Sequence, residues 1–201
     1  MLLGRKRALH TPSHVLINLA VLGHRKQWAR NWAVGVGGAL PDAPIFLFFL
    51  VERFVRGASG RELWGARYFD PAWQALFDLF HSFPIWGALG WVAWRLRWRR
   101  IAWLVVGVLF HSFLDLLLHH DDGHRHLFPF SDWRFLSPVS YWDPAHWGLI
   151  GSGIEWALVV AAGWRLWSWT DRRWLRGICA ACAGLFSVFY LGYCVFTLTR
   201  P

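Results

Sequence analysis

Long apolar runs separated by short clusters of charge organise this chain. The runs cover about 32–51, 71–98, 101–119, 145–169 and 175–198. A bilayer core takes ~20 helical residues to cross, so each run is long enough to span. Ahead of them, Thr11-Pro12 reads as an N-cap followed by proline at the first helical position. The helix it opens ends near Leu22 and is too short to span. Asp70-Pro71 and Asp143-Pro144 repeat the cap-plus-proline signature before two of the long runs. The pattern predicts an all-α, polytopic integral membrane protein. It has one membrane-embedded domain over residues 1–201, about five transmembrane helices and a short N-terminal re-entrant or interfacial helix.

Polar positions inside these runs fall on helical faces. His14, Asn18 and Leu22 share one face at i, i+4, i+8, and so do His111, Asp115 and His119. Gln74, Asp78, His81 and Ser82 occupy adjoining turns of one side. Pro41-Asp42-Ala43-Pro44 predicts a broken helix in the middle of the first long run, because proline removes a donor and clashes with the preceding turn. Glu155 has no partner by spacing and is expected to pair with an Arg or His. Ionisable side chains are costly against lipid, so all of these should face the protein interior.

Composition agrees with a membrane protein. Hydrophobic residues make up 56%, and the 17 tryptophans lie mostly near run ends, where interfacial anchoring explains them. The net charge of +9 comes from arginines at the ends of apolar runs rather than from an interleaved basic face, so no nucleic-acid partner is expected. The basic loops at 24–30, 95–100 and 171–176 fall on one side if the spans alternate. The positive-inside rule makes that side cytoplasmic and puts loops 52–70 and 120–143 outside. Cys179, Cys182 and Cys194 all lie in the last apolar run and read as small buried hydrophobes. Arg5, Lys6 and Arg7 precede an apolar stretch as in a signal peptide, but His14 and Asn18 interrupt it, so no processing is expected. His10 and His24 read as loop residues.

The candidate chemistry is concentrated at Phe110–Trp133, which holds five of the ten histidines. With the topology above, His14, Asp42, His81 with Asp78, and His111 with Asp115 and His119 reach similar depth from four separate segments. Imidazoles and carboxylates gathered in this way suit a divalent metal, with Zn²⁺ the expected ion. The candidate ligands are His14, Asp42, His81, His111, Asp115 and His119, and the following loop adds His120. Asp78 and Asp121, or its neighbour Asp122, are the carboxylates left to orient ligands or take a proton. His124 and His126 read as loop residues that cover the mouth of the site or hold a second ion.

In this order, His14, Leu40-Pro41-Asp42, His81-Ser82, His111-x-x-x-Asp115 and Leu127-Phe128-Pro129-Phe130 resemble the membrane-bound metal-dependent hydrolases (YdjM-like). The resemblance runs over about residues 10–132. It implies a multi-pass protein of the bacterial inner (cytoplasmic) membrane with His14, Asp42, His81, His111 and Asp115 as its metal set. The family's additional His-Arg ahead of His-Ser is replaced here by a segment containing Asp78. A looser likeness in ligand order to zinc-dependent phospholipase C and the related single-strand nucleases favours phosphoester chemistry. The expected activity is hydrolysis of a phosphoester or other ester in a lipid-like, amphiphilic substrate, at a site opening toward the outer face. Two alternatives stand beside it. One is a haem- or redox-cofactor protein with His81 and His111 as axial ligands. The other is a non-catalytic subunit or assembly factor whose Trp-rich surface docks membrane-protein partners.

Overall fold

The structure is a computed structural model that describes residues 11–141 and 143–199. The basic residues Arg5, Lys6 and Arg7, and His10, lie outside the described residues. Helix α1 is Thr11–Leu22 and α2 is Trp28–Ala39. After a break, α3 is Ala43–Leu50, prolonged by a wide turn over Val51–Val55. The short α4, Gly60–Glu62, is opened by a capping box between Ser59 and Glu62. Then come α5, Pro71–His81, and α6, Phe83–Arg95. Three long helices complete the chain: α7, Arg99–Leu118, α8, Gly148–Trp167, and α9, Arg173–Leu198.

The described residues form an all-α, multi-pass membrane fold. Helices α7, α8 and α9 are each long and apolar enough to cross a bilayer. The pair α2 and α3 passes as a fourth, broken span bent by 51° at Leu40–Asp42. The predicted proline break in that run is present. The expected single helix from Asp70 to Trp98 is instead two, so the described residues hold three helices long enough to span, or four spans with the bent pair taken as one, rather than five. Ser82 causes the division. Its backbone is extended, its hydroxyl accepts from Ile85 N at 3.2 Å, and Pro84 cannot donate within the first turn of α6.

Two close approaches set the positions of the ligand-bearing helices. A Cβ on Gly37 of α2 would sit 2.3 Å from Leu104 O, and one on Gly107 of α7 would sit 2.8 Å from Val34 O. The α2 and α7 backbones are therefore in contact, which a side chain at either position would prevent. Asn18 of α1 locks onto the same crossing by donating to Gly107 O at 2.8 Å. Leu16, Ile17 and Ala20 of α1 pack with Val159 and Ala162 of α8 and Phe186 of α9.

The basic loops meet at one end of the bundle. Arg30 lies over the Trp103 ring at 3.6 Å, and Trp169 packs against Gly23. Trp32, Trp91, Trp94, Trp98, Trp164 and Trp174 are exposed around that end, as an interfacial aromatic belt would be. The predicted ligand-bearing positions lie toward the opposite end.

Candidate metal centre

Helical periodicity puts His111 and Asp115 on one face of α7, His119 follows as its C-cap in extended backbone, and the α2–α7 contact turns that face inward. His111, Asp115 and His119 are all buried. The break between α2 and α3 carries Asp42 to the same point. Asp42 stands at the N-cap position of α3, but its side chain makes no cap bond and accepts from Thr11 Oγ1 at 2.6 Å instead. The break between α5 and α6 supplies His81 as the last residue of α5.

Asp42, His81, His111 and Asp115 are placed to coordinate a metal ion, with one ligand atom from each lying within 4.8 Å of all the others. His81 Nε2 and His111 Nε2 each lie 3.2 Å from Asp115 Oδ2, and His111 Nε2 lies 3.7 Å from Asp42 Oδ1. A tetrahedral ion with bonds of ~2.0–2.1 Å separates its ligand atoms by roughly 3.3 Å, so this is the spacing of a coordination shell.

The hydrogen bonds behind the rings sharpen the point. His81 Nδ1 lies 2.8 Å from Phe77 O, and His111 Nδ1 lies 2.8 Å from Gly38 O. A carbonyl only accepts, so each Nδ1 carries a proton, and the tautomer this fixes is the one that leaves Nε2 free to ligate. In that tautomer both Nε2 atoms converge on one carboxylate oxygen, and a cation between them would satisfy all three. Neither Nε2 has a hydrogen-bond partner, although both are buried. Backbone carbonyls holding the far nitrogen are what fixes ring orientation in metal-ligating histidines. The same convergence disfavours an axial haem pair, because Asp115 Oδ2 stands beside both nitrogens where a porphyrin ring would have to pass.

The other predicted residues divide around this core. His14 Nε2 and His119 Nε2 reach the second oxygen of Asp115, at 3.0 and 3.5 Å from Oδ1. His120 turns away: its Nδ1 lies 2.6 Å from Ser137 O, and its ring stacks on His146. Asp121 is exposed. Its neighbour Asp122 is the buried one, with Oδ1 3.0 Å from His119 Nδ1. Asp78 is fully buried, but it is taken up by Arg125, whose backbone N donates to Oδ1 at 2.8 Å and whose Nε donates to Oδ2 at 2.5 Å. Its carboxylate clamps the loop after α7 to α5, a role the sequence reading did not assign it.

That loop also pairs with the α5–α6 break. Phe83 N, left without a helical acceptor, donates to His126 O at 2.8 Å, and Ser82 Oγ donates to Phe128 O at 2.5 Å. The result brings His124 and His126 inside, where each is less than 5% exposed. His124 stacks on His81 with ring centroids 3.8 Å apart. Burial, with His81 adding to it, pushes His124 well below the ordinary imidazole range and His126 down to about 4, so both rings are neutral at pH 7. Reading these two as loop residues understated them. The alternating His124-x-His126 spacing was a signal, but a loop has no periodicity to say where its side chains point. Tyr141 was missed altogether. Its ring lies 5.3 Å from His119, and its buried hydroxyl has no hydrogen-bond partner. Burial and the nearby Asp122 and Glu155 raise the phenol well above its usual range, so it stays protonated.

No family model matches the chain, and neither do the curated proteins or the solved structures.

Proposed function

We propose that this chain is a metal-dependent hydrolase of the YdjM-like, membrane-bound class, acting in a bacterial inner membrane on a phosphoester or other ester of a lipid-like substrate. Zn²⁺ is the ion that suits two imidazoles and two carboxylates at these spacings. The observation that carries the reading is the convergence of two Nδ1-anchored histidines on one buried carboxylate, with Asp42 closing the set.

The orientation follows from the basic end. Positive-inside bias puts the loops at 24–30, 95–100 and 171–176 in the cytoplasm. Counting along α7 at ~1.5 Å per residue, His111 stands roughly 18 Å from Arg99, above the middle of a ~30 Å core. A site at that depth meets amphiphiles from the outer leaflet. The ion, when bound, supplies a Lewis acid and makes a coordinated water acidic enough to attack at neutral pH. The protein's own residues do the rest. Phe77 O and Gly38 O hold the imidazoles in the ligating tautomer. Asp115 and Asp42 balance charge. The clamped loop carries His124 and His126 over His81 and excludes water.

Elemental analysis of the detergent-purified protein tests this directly. Wild type should carry a stoichiometric divalent metal and cleave a chromogenic phosphodiester or vesicle phospholipid, and Asp115→Asn should lose both properties. Wild type without metal overturns the reading.

A further inference from the structure

Asp115 offers its two oxygens to two different groups of imidazoles. Oδ2 faces His81 and His111, each at 3.2 Å, and Oδ1 faces His14 at 3.0 Å and His119 at 3.5 Å. His14 and His111 show why this is a division between two positions rather than a crowded shell around one. Their rings stack with centroids 3.7 Å apart and planes 25° from parallel. Both rings point Nε2 at the same carboxylate. Imidazoles that share one ion radiate from it, and their lone pairs meet at a wide angle. Near-parallel stacked rings keep their in-plane lone pairs in separate planes about one ring separation apart, which disfavours both ending on one ion. Two-metal centres hold their ions roughly 3.5–4 Å apart, and a carboxylate with one oxygen on each ion is a natural spacer.

The second position also has outer support of its own. Asp122 holds His119 Nδ1 at 3.0 Å from behind, the carboxylate–histidine arrangement that orients a ligand and raises its basicity. Asp115 Oδ1 is buried and has no hydrogen-bond partner, so the atom at the focus of this group is unsatisfied. Leaving such an atom bare is costly.

Accepting the first position as a metal site, we infer that His14, His119 and Oδ1 of Asp115 form a second divalent-cation position, so that Asp115 bridges a two-metal centre. The first ion sits among Asp42, His81, His111 and Oδ2. The second has fewer protein donors, binds more weakly and keeps more positions open to water or substrate. Charge supports the pair. Asp42, Asp115 and Asp122 are three buried carboxylates. One dication among them leaves the centre negative, which repels an anionic phosphoester. Two dications leave it positive, which attracts one.

The test is a Zn²⁺ titration of the chelator-stripped, detergent-purified full chain, with bound metal counted by elemental analysis. Wild type should saturate at two ions per chain with distinct affinities, and His14→Ala should saturate at one. Manganese loading of wild type gives a reading that no variant's folding can disturb: two Mn²⁺ this close give an exchange-coupled paramagnetic resonance spectrum. One ion per chain in wild type overturns the second position and leaves the first standing, as does an uncoupled Mn²⁺ spectrum. No ion at all overturns the proposed function together with this inference.

Discussion

Replacing Asp78 with Asn separates a clamp from a catalyst. Asp78 is fully buried, and both its oxygens are engaged by Arg125. Arg134 adds a second cation at 3.8 Å. Removing one member of a buried ion pair costs ~3–5 kcal/mol. Here the loss is smaller for two reasons. Arg125 is 21% exposed and keeps Asp132 at 2.5 Å, and the Asn amide oxygen still accepts one of the two bonds. Roughly 2–3 kcal/mol is therefore the expected cost, and it falls on the loop that the pair holds. At about 1.4 kcal/mol per factor of ten, the loop should open roughly 30- to 150-fold more often. Hydrogen–deuterium exchange of peptides spanning residues 119–135, in detergent at neutral pH, reads this directly. Exchange there should accelerate by that factor while peptides of α8 and α9 keep their rates, and the metal content should stay at the wild-type value. If Asp78→Asn removes the metal and leaves loop exchange unchanged, Asp78 belongs to the centre and the clamp argument is wrong.

The helix crossing and the loop histidines give two further expectations. Gly37→Ala puts a methyl carbon 2.3 Å from the backbone oxygen of Leu104, which no rotamer change relieves. It should force α2 from α7, lower stability by ~1–3 kcal/mol and reduce metal occupancy, since Asp42 and the Gly38 carbonyl ride on α2. Gly87→Ala, where an added Cβ meets nothing within 4 Å, is the control and should leave the melting temperature and metal content alone. The pH dependence follows from His126, whose folded pKa of about 4 lies below its unfolded value of 6.5. Between these values the unfolded chain binds the proton and the folded one does not. Stability is therefore complete above the unfolded value and falls as pH drops below it, by roughly 2 kcal/mol at pH 5 from this group. The metal-free protein's thermal midpoint, followed by tryptophan fluorescence from pH 7.5 to 5, should fall more steeply in wild type than in His126→Gln. Equal slopes would show that His126 is not held neutral by the fold.

What the sequence determined by itself is whatever follows from helical period and from the cost of polarity in lipid. The 3.6-residue repeat puts His111 and Asp115 on one face whatever the rest of the chain does, while His119 is the C-cap, with its backbone already extended. The pair of prolines around Asp42 breaks a helix wherever it occurs. Ser82-Phe83-Pro84 carried a second break just as openly, and its capping serine and proline were the signal that the 71–98 run would divide. The tertiary structure alone decided how these pieces meet. Nothing local relates Asp78 to Arg125, 47 residues on, or turns His124 and His126 inward. Both follow from a loop whose backbone pairs with the free donor at the α5–α6 break. Which oxygen of Asp115 each histidine addresses is set by how closely α2 approaches α7 at Gly37 and Gly107 and by where α1 docks beside them. Periodicity assigns residues to a face, but it takes the packing of three separate segments, α1, α5 and α7, to sort four imidazoles around the two oxygens of one carboxylate.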